Sequence, residues 1–151
     1  MESFLKTWET SRKLYLKFLD AYTLDQLNTI PEGLSNNMIW QAGHVIVSQQ
    51  KLMYTLSNLP INISQEMVLK CQNGSRPDGN ATQEEVDEIK ALLLSTVEQF
   101  KHDWQSGKFI TFNEYQSQTG FHLATFQDAV TFNAFHEGIH YGMLMYLKKL
   151  V

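Results

Sequence analysis

Apolar side chains recur near the helical period of 3.6 residues in four long stretches, and no run alternates with the period of two expected of a half-buried strand. Over residues 3–21, Phe4, Leu5, Trp8, Leu14, Tyr15, Phe18 and Leu19 mark one side of a predicted helix, with Lys6, Glu9, Arg12, Lys13 and Lys17 falling mostly between them. Residues 23–36 carry a Pro, a Gly and several turn-formers, and read as a mostly irregular connection. A second helix is predicted from about Asn37 to Asn58. Asn36 or Asn37 caps it, because an Asn side chain accepts from orphan backbone N–H groups, and Pro60 opposes its continuation.

Residues 60–81 form a crossover with a short helix around Ser64–Cys71, followed by the run NGSRPDGN, the densest cluster of turn-formers in the chain. The third long helix opens on Thr82 and Glu85, which fit the S/T-x-x-E capping box. Val86, Ile89, Leu92, Leu93, Thr96, Val97 and Phe100 then continue one face to about Trp104. Residues 108–124 mix aromatic and polar residues without helical periodicity, as a cover packed across the bundle would. The fourth helix runs from about Thr125 to Lys149, with Thr125 and Asp128 as its cap and two lysines at the negative end of its dipole. The expected architecture is therefore all-α: a four-helix bundle in one domain, residues 1–151, whose long connections do not dictate the simple up-down-up-down form.

Composition narrows the function classes. Hydrophobic residues make up 43% and charged residues 19%, which excludes a disordered chain. Twelve Lys and Arg against sixteen Asp and Glu give a net charge of −4, so neither nucleic acid nor an anionic membrane is an expected partner. The first twenty residues hold no continuous apolar stretch, and no window of about twenty apolar residues occurs anywhere; a cytoplasmic location is expected. The single Cys71 excludes an intrachain disulfide, and a catalytic thiolate would need a base or cation that nothing near it supplies except Lys70. Any transition metal would have to be held by the five histidines.

His136 and His140 stand one turn apart in FHEGIHYG, close enough to grip one ion. Phe132, Phe135, Ile139, Met143 and Leu147 mark their helix as largely buried, and burying two imidazoles without partners costs several kcal/mol. A metal resolves that cost; a hydrogen-bonded polar patch is the competing explanation. HEGIH also matches the H-E-x-x-H signature of zincin proteases, but no Asp, Glu or His follows His140 to complete such a site. A third ligand must come from upstream. His102 sits at the polar end of its helix, and His122 lies in the irregular segment with nothing to fix it. His44, within WQAGHVIVSQQ in the first half of an apolar helix, is the best partner for the pair, although alone it reads as an ordinary core histidine.

The segments NMIWQAGHVIVSQQ and FNAFHEGIHYGMLMYL, with a long crossover between their helices, resemble the DinB/YfiT-like superfamily of bacterial four-helix-bundle proteins. That resemblance implies a divalent transition metal on His44, His136 and His140: zinc or nickel first, iron or manganese in other members. It also implies a small-molecule substrate, and either thiol transfer with a low-molecular-weight thiol or metal-dependent hydrolysis, and family habit suggests a homodimer. The alternative is a non-enzymatic bundle that a metal staples or that senses metal. Glu137, about 100° round the helix from His136 and about 60° from His140, is the candidate catalytic carboxylate, able to receive a ligand N–H or a proton from metal-bound water; a surface carboxylate is the alternative. Asn133, Trp40, Gln41, Ser48 and Gln49 are the other polar or aromatic neighbours a pocket would draw on.

Overall fold

A computed structural model describes residues 2–151. Helix α1 spans Glu2–Asp20, α3 Met38–Met53, α5 Gln83–Gln105 and α6 Phe126–Leu147; these are the long helices of the bundle. Short helices α2 (Leu24–Asn28) and α4 (Gln65–Cys71) interrupt the connections, and a two-stranded antiparallel ribbon, β1 (Tyr115–Gln116) with β2 (His122–Leu123), precedes α6. No helix among the described residues is long and apolar enough to cross a membrane.

The predicted caps are in place. Asn37 Oδ1 accepts from the Trp40 amide at 2.9 Å. Thr82 with Glu85 and Thr125 with Asp128 each form the reciprocal capping box. Three expectations change. α2 lies in the segment read as mostly irregular, started by a Thr23–Gln26 capping box. α3 stops at Met53 because the chain tightens into a single 3-10 turn, Thr55–Ser57, and Asn58 then adopts a left-handed conformation with φ 59°. The cover segment contains the ribbon, which turns through Gly120 at φ +94°.

Two apolar clusters fix the directions of the helices. One joins Leu5 and Trp8 of α1, Leu52 and Met53 of α3, Val97 and Phe100 of α5, and Ala129 and Val130 of α6. The other joins Tyr15 and Phe18, Met38 and Val45, Val86 and Leu93, and Leu144 and Leu147. The start of α1 thus lies beside the end of α3, the end of α5 and the start of α6. The bundle runs up-down-down-up, and the 60–81 crossover returns the chain so that α5 can run parallel to α3.

Between the clusters each long helix contributes a buried polar side chain: Arg12, Gln49, Thr96, and on α6 Asn133 and Glu137. Arg12 is therefore part of the inward stripe of α1 and not of its polar face. Leu14 of α1 and Phe135 and Ile139 of α6, expected to be inside, are exposed (42%, 52% and 48%). α6 is apolar all round, so periodicity could not say which arc faces the core; Val130, Asn133, Glu137 and Leu144 do.

Candidate metal centre

His44 projects from α3 toward α6, where His136 and His140 stand one turn apart. One ring nitrogen from each of the three lies within 4.8 Å of the others. The protein fixes two of the rings from behind. His44 Nδ1 lies 2.7 Å from the main-chain oxygen of Cys71, and since a carbonyl can only accept, the hydrogen is on Nδ1 and Nε2 carries the lone pair. His140 Nδ1 stands in the same relation to Gln41 Oε1, at 2.5 Å. Such outer hydrogen bonds set the tautomer and orientation that a metal ligand needs.

Trp40 stacks on His44 with ring centroids 4.5 Å apart and planes 9° from parallel, and the Ser48 hydroxyl lies 3.2 Å from His44 Nε2. A Cβ added at Gly43 would clash with Cys71 Sγ, so only glycine lets α4 approach closely enough to bring the Cys71 carbonyl to His44.

The cluster's hydrogen bonding is incomplete within the chain. His136 Nε2 and His140 Nε2 face each other at 3.1 Å, which requires a hydrogen between them, and buried His136 Nδ1 has no partner among the described residues. A cation shared by the three rings would remove the need for that hydrogen, and three ring nitrogens within 4.8 Å of one another are a donor set that fits one ion. Burial pushes the His44 ring below the usual imidazole range. Burial, then the nearby His44, lowers His136 to about 4. Burial, then His136 and His44, lowers His140 to about 3. All three rings are neutral at neutral pH, with lone pairs available.

Glu137 is elsewhere, and the expectation of a site carboxylate is corrected. Its carboxylate is 1% exposed and faces α1, where Arg12 Nη2 and Nε donate to Oε1 and Oε2 at 2.7 and 2.8 Å. Trp8 Nε1 at 2.7 Å and Asn133 Nδ2 at 2.9 Å also donate to Oε1. Three of these four bonds fall on Oε1 and one on Oε2, and all come from side chains of α1 and α6, so the carboxylate is engaged with Arg12, Trp8 and Asn133 and not with the histidines. One step of about 100° around α6 separates a residue facing α3 from one facing α1. The same placement removes the zincin base. Of the other histidines, His102 is 77% exposed beside Asp103, and His122 is exposed and 3.1 Å from Glu114.

The centre opens onto a cleft of about 360 Å³ whose wall includes His44 and His136. The hairpin residues Tyr115 and Ser117–Thr119 form its far side. A larger cleft of about 410 Å³ lies behind Trp40 and Cys71 and touches none of the three histidines, so size alone does not mark the site.

A family model described as the DinB superfamily matches residues 7–144. The chain belongs to the DinB superfamily. All three histidines of this DinB superfamily chain fall within the match, as do the crossover and the cover hairpin. Comparison with curated proteins gives no match. Several parts of the centre carry no motif signal. The Cys71 carbonyl is a main-chain group, and Tyr115 and Lys51 reach the cleft only through tertiary packing. Arg12 did leave a signal: spaced i+7 from Leu5 and i−3 from Tyr15, it continues the buried stripe.

Proposed function

We propose that this DinB superfamily protein is a metal-dependent enzyme, a hydrolase or a transferase for low-molecular-weight thiols. The observation that carries the reading is a cluster of three neutral imidazoles, one buried and two half-buried, two of them oriented from behind by carbonyl oxygens, opening onto a cleft of about 360 Å³. Three protein ligands leave a position for water or substrate, the pattern of catalytic rather than structural zinc. Imidazole donors without a carboxylate favour zinc, nickel or iron over manganese. An ion held by His44, His136 and His140 would supply Lewis acidity that favours the anionic form of water or a thiol near neutral pH.

The chain's own residues hold and screen the centre. Gln41 and the Cys71 carbonyl keep His140 and His44 in the ligating tautomer, and Trp40 covers one face of His44. Cys71 itself is buried, and burial pushes its thiol up to about 11, so a reacting thiol enters with the substrate. The lone buried thiol also supports a cytoplasmic setting. A homodimer formed through the outer face of α6 is supported by Phe135, Ile139 and Tyr146, which are exposed and lie along one side of that helix. A monomer mass by light scattering at micromolar concentration would count against it.

The decisive experiment is elemental analysis of purified protein and of single His44→Ala, His136→Ala and His140→Ala variants. Each variant is expected to lose most of its bound metal; near-stoichiometric metal in His44→Ala would overturn the assignment. Cobalt-substituted protein, whose visible spectrum reports coordination number, is expected to show an exchangeable position. A closed coordination sphere would favour the non-enzymatic metal staple or sensor.

A further inference from the structure

The wall of the cleft above the histidines is electrically one-sided. Among the described residues that line it, Lys51 is the only residue with a full charge and none is Asp or Glu. A divalent ion on three neutral imidazoles would add two positive charges beside a lining that holds no Asp or Glu among the described residues. Glu114, next to Tyr115 in sequence, is not among the lining residues and pairs with His122 at 3.1 Å. In a chain of net charge −4, an acid-free cleft is a local inversion of the surrounding field.

Lys51 is also placed, not merely present. It follows His44 by seven residues on α3, which returns it to nearly the same side of the helix about 10 Å further along the axis. Its ammonium sits 4.4 Å from the centre of the Tyr115 ring and donates to the Tyr115 hydroxyl at 3.2 Å. Because the phenol oxygen accepts that bond, its own O–H hydrogen is free to donate, and two ammonium hydrogens remain. Tyr115 is held there by the ribbon, whose approach is tied down by Asn113 N–H donating to the Leu56 carbonyl at 2.7 Å. The hairpin tip is joined to the crossover by Asn73 Nδ2 donating to Gln118 Oε1 at 3.1 Å.

We infer that Lys51 and Tyr115 form a carboxylate subsite, selecting small substrates that bear a carboxylate at one end and present the reacting group to the histidine centre at the other. Two convergent donors match the two oxygens of a carboxylate, and the separation along α3 suits a short chain between the ends. The inference rests on the metal-centre reading for its second anchor but not for Lys51 and Tyr115 themselves.

The test compares glutarate with its monomethyl ester by calorimetric titration of cobalt-loaded protein, the visible spectrum confirming that the ion stays bound. Glutarate is expected to bind roughly tenfold or more tightly, the range of a charge-assisted hydrogen bond. Lys51→Gln and Tyr115→Phe should each bring the ratio toward one, and Lys51→Arg should keep most of it. Both positions of change, Lys51 and Tyr115, are on the cleft wall, and all three variants leave the histidines intact. An equal affinity for acid and ester in wild type, or an unchanged ratio in Lys51→Gln, would overturn the subsite. If the protein takes up no cobalt, the metal reading fails separately. Ligand-observed NMR of glutarate with metal-free wild type and Lys51→Gln then decides the subsite: line broadening that Lys51→Gln abolishes supports it, and equal broadening refutes it.

Discussion

Three imidazoles brought together in a protein interior would titrate far from their solution values, and the direction has two consequences. Burial and mutual proximity hold His136 near 4 and His140 near 3, against 6.5 for the free side chain. Above 6.5 each ring is neutral in both folded and unfolded chains, so titration changes nothing. As the pH falls, the unfolded chain takes up protons first. Metal-free protein therefore loses stability from about 6.5 downward until the folded-state values near 4 and 3 are passed, by about 1.4 kcal/mol per pH unit for each ring at most. Urea unfolding of chelator-treated protein at pH 7 and pH 5 checks this, and a His136→Gln/His140→Gln variant should flatten the difference. The second consequence concerns metal: a solution-like imidazole is mostly protonated at about pH 5.5, whereas these rings keep their lone pairs. Dialysis at that pH is expected to leave bound zinc in place, and its complete release would contradict the lowered values.

At the scale of elements, the rotation of α6 decides which side chains reach the site. The buried pair of Arg12 with Glu137, 0% and 1% exposed, joins α1 to α6 one residue from His136, and Tyr15 adds a hydrogen bond of 2.6 Å to the Glu137 carbonyl. Removing one partner strands a buried charge. Arg12→Met is expected to destabilise the protein by about 3–5 kcal/mol, while Arg12→Met/Glu137→Leu recovers most of that loss. Equilibrium unfolding of both variants separates this from a solvated pair, whose loss would cost under about 1 kcal/mol. The inward α6 arc also explains what a reader of the chain could and could not see. Helix starts were legible because Thr82 with Glu85 and Thr125 with Asp128 are local chemistry; Thr23 with Gln26 carried the same signature over a helix too short to show periodicity. The spacing of His136 and His140, and the setting of His44, were legible for the same reason. The role of Glu137 was not, since its partner is 125 residues away and the choice between two faces of an all-apolar helix is made by Arg12.

For the whole molecule, the up-down-down-up order sets His44 on α3 against a pair that α6 supplies about ninety residues later in the chain, so a shared ion would close a long loop across the two helices. In the unfolded chain those ligands are dispersed, and metal binding becomes folding free energy. At a free zinc concentration one hundred times the dissociation constant, the gain is about 2.7 kcal/mol. For a domain of this size that raises the melting temperature by roughly 5–10 °C, at about 2–4 °C per kcal/mol. Chelator should reverse the rise. Gly43→Ala offers a sharper control than loss of a ligand, because all three histidines remain. Displacing α4 from α3 moves the Cys71 carbonyl away from His44 Nδ1 and frees the ring to adopt the wrong tautomer. This variant is expected to melt lower without metal, by about 1–3 kcal/mol of overpacking, and to show a smaller zinc-induced rise than wild type. A full zinc-induced rise in Gly43→Ala, measured by differential scanning calorimetry, would mean that the carbonyl behind His44 contributes nothing to metal affinity and that the three rings alone make the site.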